Sequence, residues 1–172
     1  MEVACSITCN ADIEPLRVRV QPLVGKICWR ARLAYADELK LDFGQRLAYE
    51  HPRLKGSTYG SWVLGSRGTK WRLMVAGQLI SSRSKRSRIE QALLALGGGT
   101  VEAVTVGYRQ LGLCIQFDAA RTLTIQHESG RPTFELPYWE MFAPGGTCIQ
   151  AGPGRRWAIR TRGKRKPGSV TI

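Results

Sequence analysis

Acidic residues are missing from two stretches of this 172-residue chain: Arg83 to Arg88 and Arg155 to Lys166 contain no Asp or Glu, yet hold four and seven Lys or Arg. Without those eleven cations, the remaining 15 exceed the 13 carboxylates by two, against a net charge of +13 for the whole chain. The positive field is therefore local, which suits contact with an anionic partner better than general solubility. Long apolar runs are also missing. No stretch of about 18 apolar residues exists to span a bilayer as a helix. The amino terminus, with Glu2 and Asp12 in place of a basic segment followed by an apolar one, does not read as a secretory signal, so a cytoplasmic location is expected.

Histidine is scarce, and cysteine comes in an odd number. Cys5, Cys9, Cys28, Cys114 and Cys148 are dispersed and read as free thiols. Cys5 and Cys9 form a C-x-x-x-C pair, but a zinc site needs about four ligands and no second close pair exists, so buried or terminal thiols are the default. No cofactor is implied. His51 and His127 stand alone, each beside a carboxylate in sequence, Glu50 and Glu128. Neighbouring residues on a strand face opposite ways, so neither pair is positioned by its spacing. Asp118 and Glu135 complete the acid–base candidates. Exposed loop histidines are the default, and a small metal-independent nuclease is the alternative. Asp42-Phe43-Gly44 lacks the other kinase motifs and reads as a strand ending at a turn; Gly97-Gly98-Gly99-Thr100 follows a helix where a phosphate loop would precede one.

What is present is a period close to two. Ile27, Trp29, Ala31 and Leu33 alternate with Cys28, Arg30 and Arg32, and Leu39, Leu41 and Phe43 alternate with Lys40 and Asp42. Both read as half-buried strands. Val101–Val106, Leu113–Phe117, Thr122–Ile125, Trp139–Phe142, Thr147–Gln150 and Trp157–Ile159 repeat the theme between turn residues. One helix is expected between Ser87 and Leu96, with Ser87 and Glu90 spaced as a capping box and the three glycines ending it.

The pattern also echoes itself. Leu23-Val24-Gly25 resembles Leu96-Gly97-Gly98, Tyr35 resembles Tyr108, and Leu39–Phe43 resembles Leu113–Phe117. Gly60–Leu64 is paired with Pro137–Met141, and Trp71–Leu73 with Trp157–Ile159. Chance similarity among β-rich segments is the competing reading. The expected fold is α+β: two similar antiparallel meanders, an internal duplication, around one central helix. Its boundaries are an N-terminal segment over 1–16, a first β-rich half over 17–80, a basic linker and helix over 81–97, a second β-rich half over 98–160, and a basic flexible tail over 161–172, all in one compact domain.

Several tryptophans have basic neighbours: Lys70-Trp71-Arg72, Cys28-Trp29-Arg30 and Arg155-Arg156-Trp157. Such combinations hold single-stranded nucleic acid when the indole faces outward. Strand alternation favours the other arrangement, with Trp29, Trp71 and Trp157 inward and their cationic neighbours facing the partner.

Gly60–Leu64, Trp71–Leu73, Leu113–Asp118, Leu123–Ile125 and Trp139–Phe142 together resemble small bacterial proteins of the immunity-protein type, over roughly residues 35 to 160. The resemblance implies a protein that neutralises a toxin by binding it, and it transfers no functional residue. Its charge departs from inhibitors of nuclease toxins, which tend to be acidic.

The sequence thus predicts a binding module without catalysis and without a membrane role. Its partner is expected to be nucleic acid or a nucleoprotein assembly, reached through Arg83, Lys85, Arg86, Arg88, Arg155, Arg156, Arg160, Arg162, Lys164, Arg165 and Lys166. The alternative is a protein partner in a bacterial complex.

Overall fold

The computed structural model of the chain describes residues 2–67, 69–127 and 136–161. Twelve strands carry the architecture: β1 (Glu2–Ser6), β2 (Ile27–Leu33), β3 (Leu39–Ala48), β4 (Thr58–Ser66), β5 (Lys70–Val75), β6 (Gln78–Ser81), β7 (Gly99–Val106), β8 (Leu113–Phe117), β9 (Arg121–Gln126), β10 (Trp139–Ala143), β11 (Thr147–Ala151) and β12 (Arg156–Thr161). Helix α1 (Glu14–Val20) lies between two 3-10 turns ahead of β2, and α2 (Arg86–Leu96) joins β6 to β7. Among the described residues, no helix is long and apolar enough to cross a membrane.

The expected α+β arrangement of two meanders around one central helix is overturned. All twelve strands belong to one antiparallel sheet, in the order β1-β12-β11-β10-β4-β3-β2-β7-β8-β9-β5-β6. The reason lies in the alternation. Nearly every strand supplies its own inward row of apolar side chains, so the sheet closes over itself and needs no helix at its centre. Helix α2 has one apolar stripe, Ile89, Ala92, Leu93 and Leu96, and lays it against β2, β5 and β6.

The strand order is palindromic once β1 and β12 are set aside. Exchanging β2 with β7, β3 with β8, β4 with β9, β5 with β10 and β6 with β11 returns the same order reversed. The axis falls where β2 and β7 meet, at Ile27 opposite Thr100. Around it, contacts occur in pairs. Gly25 N–H donates to Val101 O at 2.8 Å and Gly98 N–H to Cys28 O at 2.7 Å. Trp71 Nε1 donates to Asp37 O and Trp139 Nε1 to Leu111 O, both at 2.7 Å. Phe43 and Phe117 stack on each other, with centroids 6.4 Å apart and planes 8° from parallel.

Of the correspondences read from sequence, Leu23–Gly25 with Leu96–Gly98 and Leu39–Phe43 with Leu113–Phe117 lie across this axis. Two do not: β4 corresponds to β9, and Trp71 corresponds to Trp139, not Trp157. Each half gives its last hairpin away, β5-β6 to β9 and β10-β11 to β4. The wing from β1 to β2 and the wing from β7 to β6 thereby share one core. The axis is broken at one edge, where β12 and then β1 extend the sheet beyond β11.

Two further expectations change. β2 carries a bulge between Cys28 and Arg30 against β3, which reverses the side on which the preceding residues emerge. Cys28 is therefore buried, Ile27 is exposed, and Trp29 leaves the core. Asp42-Phe43-Gly44 is not the end of a strand. It sits inside β3 beside a second bulge, where Gly60 on β4 passes so close that a Cβ there would meet Phe43 N at 2.5 Å.

Asp12 anchors the start of the chain by accepting from Cys9 N–H at 2.8 Å, Thr8 N–H at 2.6 Å and the Thr8 hydroxyl at 2.8 Å. Those bonds, the one from Cys9 first, lower its pKa from 3.8 to about 2. Because the folded carboxyl releases its proton more readily than the unfolded one, its stabilisation is full above 3.8 and fades as pH falls toward about 2. Thermal melts should lose this part of their acid sensitivity in Asp12→Asn, and an unchanged profile would contradict the assignment. For the stacked pair, Phe43→Ala or Phe117→Ala should each cost about 3–5 kcal/mol. Urea unfolding should show the double variant falling short of the sum, because both substitutions remove the same ring stacking.

Candidate nucleic-acid interface

The first basic cluster is held by a tight serine turn. Ser84 N–H donates to Ser81 O at 2.9 Å, Ser81 N–H to Ser84 Oγ at 3.0 Å, and Arg83 N–H to Ser81 Oγ at 3.3 Å. The turn delivers the chain to Lys85, which is the N-cap; Arg86 opens the helix. The expected capping box at Ser87 and Glu90 is not formed, because both residues lie inside the first turns and Glu90 instead takes Arg86 Nε at 2.9 Å. No acidic residue lies in the first turn, so Lys85, Arg86 and Arg88 crowd the positive end of the helix dipole. All four cations of this cluster are exposed.

The second cluster begins where the chain enters β12. Arg155 O accepts from Ile7 N–H at 2.8 Å, and its guanidinium lies 5.4 Å over the Tyr108 ring while donating to the Tyr108 hydroxyl at 3.0 Å. Trp157 and Ile159 point into the core, and Trp157 Nε1 donates to Asp12 O at 2.8 Å. Arg156 and Arg160 therefore fall on the outer face with Ala158. Arg160 Nε reaches Glu2 Oε1 at 2.9 Å, with both side chains more than half exposed. Arg162, Lys164, Arg165 and Lys166, with the rest of the expected tail after Thr161, lie outside the described residues.

The structure does not merge the two clusters along the sheet. Helix α2 packs on the β5-β6 end of the strand order and on β2, whereas β12 is second from the other end. Carboxylates are mostly engaged locally, as in Glu14 with Arg17, Asp118 with Arg121, Asp42 with Arg30, and Glu38 and Glu140 with Arg67.

The arrangement also exposes a surface that the sequence reading missed. On the outer face of the first wing, cross-strand pairing sets up two rows. One runs Arg32, Lys40, Gly65, Glu140, Gln150, Ala158; the next runs Asp42, Val63, Phe142, Cys148, Arg160. Over these rows lies a groove of about 780 Å³ lined from Lys40 to Arg160 and including Tyr49 and Tyr59, whose rings are 4.6 Å apart. Phe142 stands in it 45% exposed. Beside the groove, Asp42 is fully buried, accepting from Arg30 Nε at 2.8 Å and Gly60 N–H at 2.9 Å. Trp29, displaced by the bulge, carries Arg30 and Arg46 over its ring at 4.8 and 4.5 Å. Of the three flanked tryptophans, only Trp71 and Trp157 are core residues.

The acid–base candidates are not brought together by the axis. His51 lies in the β3–β4 loop, its Nδ1 accepting from Arg53 N–H at 3.2 Å. His127 follows β9 and stacks on Tyr138 at 4.4 Å. The axis would pair the β3–β4 loop with the β8–β9 loop, where Asp118 lies, and not with the end of β9. Glu128 and Glu135 lie outside the described residues. Cys5 Sγ faces Asp12 O at 3.8 Å, Cys9 is exposed, and among the described residues no three potential metal ligands gather. Burial pushes the Cys28 thiol up to about 12, which keeps it protonated and inert at neutral pH.

Comparisons with protein-family models, with curated proteins and with solved structures found no match.

Proposed function

We propose that the protein is a non-catalytic module that binds an anionic macromolecule, with nucleic acid as the partner. The observation that carries the reading is the placement of two clusters of exposed cations in segments without carboxylates of their own, on a body whose acidic residues are largely engaged elsewhere. Two ion pairs that reach into the clusters, Arg86 with Glu90 and Arg160 with Glu2, are exposed and so contribute little. A phosphate displaces such partners readily. A phosphate near Lys85 and Arg86 would also relieve the charge crowded at the start of α2.

A second reading is a module that grips another protein, as the immunity-type resemblance implies. It is favoured by β6, which ends the strand order and displays Leu79 at 56% exposure. A strand at the edge of a sheet is a template for a partner's strand. Stoichiometric co-purification of a protein that survives high salt would support it.

The nucleic-acid reading is tested by titrating labelled RNA and DNA across a salt series. Removing 155–172 would strip the core of Trp157 and Ile159, so the useful variant replaces Arg155 and Arg156 by Gln and stops after Thr161. Combined with Gln at Arg83, Lys85, Arg86 and Arg88, it should weaken binding at least about tenfold. The log–log salt slope should shrink by about 0.7–0.9 for each phosphate that the variant no longer neutralises. Unchanged affinity and slope would refute the reading.

A further inference from the structure

We propose that the outer-face groove of the first wing is a seat for single-stranded nucleic acid, in which Phe142 stacks on an unpaired base and Lys40 and Arg160 hold the phosphates on either side. This rests on the nucleic-acid reading above and narrows it to single strands. Three observations carry it.

The first is the aromatic surface. Phe142 projects from β10, a strand paired on both sides, flanked at its own level by Val63 and Cys148, and it remains nearly half exposed. An exposed phenyl ring on a rigid sheet face is a sequence-tolerant platform for a base. Tyr49 and Tyr59 offer a second platform at the end of the same groove. The Gln150 amide lines the groove one ladder step from Phe142, placed to meet a base edge.

The second is charge complementarity. Of the carboxylates on this face, Asp42 and Glu140 are buried and held by Arg30 and Arg67, and Glu2 stands exposed at the far edge, opposite Arg160. Lys40 has its pKa lowered first by burial and then by Arg32, with Arg30 and Arg67 adding to it and Asp42 opposing. An anion in the groove would reverse that effect. Arg160 closes the opposite side, its pairing with Glu2 loose enough to exchange for a phosphate. Arg160 itself belongs to the carboxyl-terminal cluster, and Arg156 lies on the same outward side of β12 beyond Ala158, outside the groove.

The third is the contrast across the axis. On the other wing the same positions hold Met74 for Phe142, Arg72 for Glu140, Cys114 for Lys40 and Leu79 for Cys148, and among the described residues no strand covers β6 as β12 covers β11. A pocket of about 350 Å³ lies on that wing beside Lys70, Arg72 and His127, and of those four positions only Arg72 lines it. The backbone frame is therefore common to both faces, and an exposed aromatic ring flanked by cations belongs to one, whereas the other carries Lys70 and Arg72 without such a ring between them. A duplex keeps its bases stacked inside and has no unpaired face to lay on Phe142.

Fluorescence anisotropy with the full chain and mixed-sequence RNA or DNA strands of about 12 nucleotides, alone and annealed, tests the proposal. Single strands should bind at least about tenfold more tightly than the duplex. Phe142→Leu, which keeps an apolar side chain and hence the fold, should lose about tenfold in affinity with the salt slope unchanged, and Phe142→Tyr should retain it. Lys40→Gln should lower the salt slope by about 0.7. Met74→Ala, at the equivalent place on the other wing, should change nothing. Equal affinity for duplex, or wild-type binding by Phe142→Leu, would overturn the groove. If binding responds to the basic clusters yet ignores Phe142 and Lys40, the groove fails and the broader reading stands. If no nucleic acid binds, both fail.

Discussion

The stacking of Phe43 on Phe117 joins two strands, β3 and β8, that belong to opposite wings and never pair with each other. Leu41 and Ile115 sit beside the two rings on the same inward rows, Leu64 and Leu123 face them from β4 and β9, and Met141 and Leu73 follow from the exchanged hairpins. The indoles of Trp71 and Trp139 lock those hairpins to the far loops, so each wing is sealed by chain from the other half. Buried aromatic area of this kind dominates core energetics, and the paired geometry adds a specific preference beyond area alone.

Closing the core in this way decides where charge can go. Inward positions are taken by apolar residues, and the cations that alternate with them emerge together on the outside. On the first wing this lines up Arg32 and Lys40 from neighbouring strands, then Arg156 and Arg160 from β12, with Phe142 between. A basic, partly aromatic face is thus a by-product of strand alternation in a chain rich in Arg. What makes it more than a by-product is the outward Phe142 and the different lining of the symmetric face.

Strand positions were readable because their alternation is local: Leu39, Leu41 and Phe43 lie inside as their spacing predicts, and β7 to β12 fall where periodicity puts them. The fold class was not readable. Whether a hairpin joins its own half or the other depends on pairing between residues far apart in the chain, such as Trp139 with Ser66 and Met74 with Thr122, and no local signal encodes that choice. Trp29 was misassigned for a related reason. A bulge at Cys28 reverses the side on which the preceding residues emerge, and its position is fixed by the partner strand, not by the residues that carry it. The basic clusters were visible as composition, whereas the groove needed five strands to be laid side by side. Phe142 looks like any core aromatic until its neighbours place it on the outer face.

The exchange of hairpins has a consequence for synthesis. The segment from Lys70 to Ser81 is made some 40 residues before Arg121 to Gln126, the strand it must join. While that partner is still being translated, Trp71, Leu73 and Ile80 have no sheet to enter. Non-local pairing of this kind is slow to form, and it leaves an apolar hairpin open to capture by chaperones or by another nascent copy. The N-terminal half therefore cannot mature alone, and a truncated product would present the same sticky ribbon permanently.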